Sequence, residues 1–139
     1  MSVWFAVGLG SALGALARFA LSLAMAMWLG DAHLYGTLAV NVLGAFSIGL
    51  LAELVQPPGP FALGAWARPF FLSGFCGGFT TFSLFGLETL TLWQAGGTLP
   101  ALAYVAVSLA SWIVAVVLGA GVGRRWAGAP RAARSSRSR

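Results

Sequence analysis

Charge is scarce in this chain: Asp, Glu, Lys and Arg make up 8% of 139 residues, and only three residues are acidic. Hydrophobic residues make up 59% and the mean hydropathy is +0.87, which excludes a water-soluble domain of this size. Cysteine occurs once, at Cys76, so an internal disulfide and a cysteine-based metal cluster are both excluded, and the thiol is expected to be a small packed residue. Histidine also occurs once, at His33, in a short connection beside Asp31, where it is expected to be solvated. No side-chain metal cluster is therefore expected. Polar connections are short, comprising residues 30–33, 56–68 and 96–98 and the stretch after Val122. They leave no room for a catalytic domain outside a membrane, and the chain is not expected to be an enzyme.

What the chain does contain is four long apolar stretches, at about residues 3–29, 34–55, 69–95 and 99–122. At 1.5 Å per helical residue, each can cross about 30 Å of hydrocarbon. The fold class expected is therefore an all-α membrane protein of four transmembrane helices, with residues 1–123 as one four-span unit. The first stretch lacks a basic start, runs too long for a cleaved leader and carries Arg18 in its core. Pro57, Pro58 and Pro60 stop the second helix and divide the chain into two hairpins. No internal repeat relates them.

The net charge of +5 comes mostly from the end of the chain. Arg124, Arg125, Arg131, Arg134, Arg137 and Arg139 lie among Ala, Ser, Gly and Pro in residues 124–139. That composition predicts a disordered tail that attracts anionic lipid headgroups, not nucleic acid. With an even number of spans, both termini and the connection holding Arg68 share one face, so seven basic residues lie on that face and none in the opposite connections. Positive-inside asymmetry favours both ends in the cytoplasm.

Several residues are of types that hydrocarbon does not tolerate without partners. In the third stretch, Gly74-Phe75-Cys76-Gly77-Gly78-Phe79-Thr80-Thr81-Phe82-Ser83-Leu84-Phe85 predicts a helix break between Gly77 and Thr80. An open backbone at that depth has to face protein or a wet cavity, so the break is an expected ion or substrate site. Its carbonyl oxygens would suit a hard cation shared by two copies across a two-fold axis. In the second stretch, Thr37, Asn41 and Gly44 share a helix face. The Asn41 amide offers two N–H donors to an anion, or else forms only an interhelical bond. In the fourth stretch, Tyr104, Ser108 and Ser111 form a hydroxyl stripe, unless the serines bond back to the preceding turn.

Arg18 requires a partner or water; it could draw anions into a vestibule, cap a broken helix, or pair with Glu53 or Glu88. Glu88 likewise needs a partner or water to remain charged. Phe79, Phe82 and Phe85 step by three, and the positive edges of Phe82 and Phe85 could favour a small anion without trapping it. Gly10 with Gly14 and Gly119 with Gly123 are close-packing pairs, serving either self-association or packing within one subunit.

The third-stretch motif, together with Gly36-Thr37 and Asn41 in the second and Gly14-Ala15-Leu16-Ala17-Arg18-Phe19 in the first, resembles the CrcB/Fluc fluoride channels over nearly the whole chain. The resemblance implies an antiparallel dimer of four-span subunits with a broken third helix and two fluoride pores. Passive efflux through them lowers cytoplasmic fluoride and protects against its toxicity. It implies a central structural sodium, not transported, held by the backbone carbonyls of Gly77 and Thr80. It makes Asn41, Phe82, Phe85, Tyr104 and Ser108 the fluoride pathway, with Thr81 and Ser83 beside them, in a multi-pass protein of the inner cell membrane with dual topology.

Two positions depart from the family pattern: Leu84, where a threonine commonly follows the serine, and Trp112, where some members carry another hydroxyl. The one-sided charge also conflicts with dual topology, so the partner is either a second copy or an oppositely oriented homologue. The rival function is a small four-span multidrug or cation exporter, but the first span offers Arg18 where such an exporter needs a carboxylate.

Overall fold

The computed structural model describes residues 2–29, 33–55, 61 and 63–127. Four helical crossings are present, each long and apolar enough to span a membrane. Helix α1 is Val3–Leu29 and α2 is His33–Val55. The third crossing, Ala67–Gly96, is in two halves. Its first half, α3 (residues 67–79), opens as α-helix at Ala67–Pro69, widens to π-helix over Phe70–Cys76 and returns to α-helix at Gly77–Phe79. The second half, α4, is Phe82–Gly96, and α5 is Thr98–Ala127. Between them Gly97 adopts φ 84°, a left-handed geometry that glycine enters without steric cost, and its N–H bonds to Trp93 O at 2.9 Å.

Glycine sets how closely the helices approach. Helix α2 packs mainly on α5, and α1 on α3. Gly119 lies against the backbone of Phe46 and Leu50, while Gly123 lies against Leu50 and Glu53. Gly10 and Gly14 abut the backbone of Phe70, Phe75 and Phe79, and a Cβ at Gly78 would lie 2.7 Å from Ser11 Cα. Both close-packing pairs therefore work within the subunit, and the sequence evidence they offered for self-association falls away.

The break differs from expectation in both place and cause. Helix continues through Gly77–Phe79, and the extended residues are Thr80 (φ −79°, ψ 159°) and Thr81 (φ −143°, ψ 120°). The neighbouring glycines Gly74 and Gly78 supply contact with α1, while β-branched threonines, stiff at χ1 and able to bond to nearby backbone, leave the helix. Thr80 Oγ1 donates back to Cys76 O at 3.1 Å, and Thr81 Oγ1 accepts from Leu84 N at 3.3 Å. The two hydroxyls thus serve the end of one half-helix and the start of the next.

Helix α5 also runs farther than expected. Arg124 and Arg125 are helical, not part of a disordered tail, and Arg124 Nη1 meets Glu53 Oε1 at 2.9 Å on the surface. The remaining tail, residues 128–139, lies outside the described residues, as does the Pro57–Pro60 stop.

Tryptophan marks the membrane boundaries. Five of the six tryptophans, Trp4, Trp28, Trp66, Trp93 and Trp126, lie near the ends of crossings and are at least half exposed. Trp4 and Trp28 are about 36 Å apart along α1 at 1.5 Å per residue, matching a hydrocarbon slab and its two interfaces. The sixth, Trp112, is mid-span and largely covered.

Candidate functional site

The site is assembled where α2 meets the two half-helices of the third crossing. Asn41 is buried on α2 and spans the break with both ends of its amide. Its Nδ2 donates to Thr81 O at 2.9 Å, and its Oδ1 accepts from Thr81 N at 2.8 Å. In an unbroken helix Thr81 N–H would go to Gly77 O, so Asn41 replaces a rung of the ladder. One amide hydrogen remains for another acceptor. Gly44, one turn on, lets the Thr80 methyl approach α2 where any side chain would collide.

One turn in the other direction, Thr37 begins a second polar joint. Thr37 Oγ1 donates to Glu88 Oε1 at 2.6 Å, and Tyr104 Oη donates to Glu88 Oε2 at 2.5 Å. Glu88 is 7% exposed, so two hydroxyls from α2 and α5 take the place of water on its oxygens. Neither expected Arg18 pairing forms: Glu53 is taken by Arg124, Glu88 by the hydroxyls, and Arg18, half-buried on α1, makes no ion pair among the described residues.

Aromatic rings lie between the two polar joints. Phe85 is buried, with its centroid 5.4 Å from Tyr104 and 4.9 Å from Trp112, the latter edge-on at 68°. Phe82 is 5.5 Å from Phe85 but 74% exposed, so the two expected pathway rings occupy unlike surroundings, one enclosed and one on the outer face. Ser83 is exposed, within 3.4 Å of the Thr81 hydroxyl. Ser108 is fully buried and close to Tyr104, and its hydroxyl is without hydrogen-bond geometry to any described residue. Ser111 donates back to Ser108 O at 2.8 Å, the local bond that takes it out of the hydroxyl stripe.

Two cavities flank these joints. One, of about 280 Å³, is bounded by Asn41, Gly44, Gly77, Thr80, Phe82 and Trp112. The other, of about 390 Å³, lies nearer the α1–α2 connection and reaches Glu88 between Ser22, Met25 and Thr91.

The residues at the break fit a hard monovalent cation. With Thr81 N–H diverted to Asn41, no backbone amide outside the helices bonds to the Gly77 or Thr80 carbonyl among the described residues. Gly77 is exposed, and nothing lies within 4 Å of where its Cβ would stand. The Gly77 carbonyl has the Thr80 hydroxyl at 3.5 Å, and the backbone carbonyls of Gly77 and Thr80 are oxygen donors of the type such ions take. Among the described residues no His, Cys, Asp or Glu cluster competes for a metal.

Residues 5–120 match the family model described as CrcB-like protein, Camphor Resistance (CrcB). The chain belongs to the CrcB family. It is 46% identical over 119 residues to the fluoride-specific ion channel FluC of Opitutus terrae, covering 86% of this chain and 90% of that one. The FluC of Magnetococcus marinus is 47% identical over 120 residues, 85% and 94% of the two chains. That of Chloroflexus aurantiacus is 40% identical over 123 residues, 88% and 96%.

In this CrcB-family chain the residues singled out from the sequence, Asn41, Thr81, Ser83, Phe82, Phe85, Tyr104 and Ser108, lie in one neighbourhood, but their partners were not legible. Sequence reasoning did not anticipate that Asn41 closes the break or that Thr37 joins Tyr104 on Glu88. The Thr37–Asn41 spacing was the available signal, since two polar groups on one buried face have to meet two polar partners. Asn41→Ala is expected to leave the buried Thr81 N–H without an acceptor and to destabilise the subunit by about 1–3 kcal/mol. Equilibrium unfolding in mixed micelles measures this, and wild-type stability in the variant would show that the joint holds without Asn41.

Proposed function

We propose that this chain is a subunit of a fluoride-selective channel whose passive efflux lowers cytoplasmic fluoride and relieves its toxicity. The observation that carries the reading is the set of relatives named fluoride-specific ion channel, at 40–47% identity over most of both chains. The geometry supports it. Fluoride is small and strongly hydrated, so a path through hydrocarbon has to replace water with donors yet release the ion. The spare Asn41 N–H and the Ser108 hydroxyl are such donors, with Thr81 and Ser83 nearby. The edges of Phe82 and Phe85 add attraction without a fixed charge.

Tyr104, which donates to Glu88, belongs to the wall of that path. Arg18 raises the anion concentration in a vestibule at the α1 side. A multidrug or cation exporter has no support, because Arg18 is the ionisable group of α1 and no carboxylate stands there to exchange protons. The chain transports an ion and carries out no covalent chemistry.

The working unit in this reading is an antiparallel dimer in the inner cell membrane. The exposed ring of Phe82 and the open face of Gly77 form a surface a second subunit would cover. A sodium ion on the axis would be held by the Gly77 and Thr80 carbonyls of both subunits and would fix the two breaks against each other. With Arg18 set aside as intramembrane, the other seven arginines share the face of the termini, which favours one orientation for this chain and a homologue in the opposite orientation as partner. The arginine-rich tail would sit on anionic headgroups at the cytoplasmic face.

Proteoliposomes holding the channel are expected to release fluoride far faster than chloride at an ion-selective electrode, and Phe82→Ile to abolish most of that flux while dimer elution is unchanged. Equal rates for the two anions, or none for either, would count against the channel reading. If the chain is expressed alone, its termini are expected on one side of the membrane; comparable exposure on both sides would defeat the heterodimer. A solved dimer without ion density between the two Gly77–Thr80 turns would remove the sodium.

A further inference from the structure

We infer that Trp112 is an anion-donor station of the fluoride path, its indole N–H acting one helical turn beyond the Ser108 hydroxyl. The inference rests on the channel reading and adds to it a residue in which this chain departs from its family's pattern.

Placement is the first reason. Five tryptophans lie near the ends of crossings with at least half their surface exposed, where the ring rests in lipid and the N–H reaches the wet interface. Trp112 is 15th of the 30 residues in α5 and is largely covered, so its N–H has no interface to reach. Its Nε1 is buried and, among the described residues, has no hydrogen-bond partner. An orphan donor at that depth is costly unless an acceptor arrives there.

Surroundings are the second reason. Trp112 lines the same cavity as Asn41, Thr80 and Phe82. Its ring is fixed edge-on against Phe85, so the indole does not have to order itself when an ion enters. Ser108, four residues earlier, carries the other buried side-chain polar atom without a partner among the described residues. Residues four apart on a helix lie on one face, about 6 Å apart along its axis. The two orphan donors therefore form a short ladder beside the Phe85 ring.

The chemistry differs from that of a hydroxyl at the same place. A hydroxyl both donates and accepts, whereas indole N–H only donates. The N–H edge presents no lone pair to the anion and no acceptor to a cation, so an ion that meets that edge is selected as a small anion without an added charge.

The decisive variant is Trp112→Phe, which keeps an aromatic ring against Phe85 and deletes the donor. In proteoliposomes we expect its fluoride efflux to fall about tenfold, the effect of one hydrogen bond to an ion, with dimer elution unchanged. In wild-type protein with ¹⁵N-labelled indoles, the resonance missing from Trp112→Phe is expected to shift on adding potassium fluoride and to stay in place with potassium chloride. Unchanged flux in the variant would overturn the station. So would a fall in flux with no fluoride-dependent shift, which would mark a packing role. Wild-type liposomes that release no fluoride would refute the channel reading itself, and the station with it.

Discussion

The clamp between the Asn41 amide and the backbone of Thr81 is the interaction on which the rest of the structure depends. A membrane helix is stable because it satisfies its own backbone, and residues 80 and 81 abandon that arrangement in the middle of the third crossing. One side chain satisfies both the N–H and the C=O of Thr81, which belong to adjacent peptide units. It also frees the carbonyl of Gly77, starts a new half-helix at Phe82 and places Phe82 and Phe85 at the first turn of that half. Without it, neither the carbonyls of the break nor the ring pair would have a fixed position.

Around this joint the molecule divides its contacts in a consistent way. Glycines bring α1 to α3 and α2 to α5 within the subunit. Polar groups join α2, α4 and α5 through Glu88. What remains outward is apolar lipid-facing surface, together with the Gly77 and Phe82 face. The glycine seams are filled within the chain and offer no surface to a second copy.

The four spans were legible because hydropathy and length are properties of a single segment. The break was placed near Gly77–Thr80 for the same reason, since a glycine cluster is conspicuous in sequence. It fell at Thr80 and Thr81, while Gly74 and Gly78 stay helical against α1, a neighbour the sequence does not name. Pairings were the hard part. Glu88 drew attention as a buried charge, but that Thr37 and Tyr104 satisfy it depends on how three helices are rotated, and helical spacing reports only a shared face. The π-helical turns at Phe70–Cys76 left no signal in the composition. Arg124 and Arg125 looked like tail because of the arginine-rich sequence that follows, and the Glu53 carboxylate that Arg124 meets lies on α2, far away in the sequence.

The double duty of Asn41 bears on how genetic results are read. A screen for colonies that lose tolerance to the toxic anion will confound, at position 41, a collapsed scaffold with any effect on permeation. Lesions at Phe82, whose ring contributes little to the enclosed interior, spare the fold of the single chain and so set the first of these explanations aside.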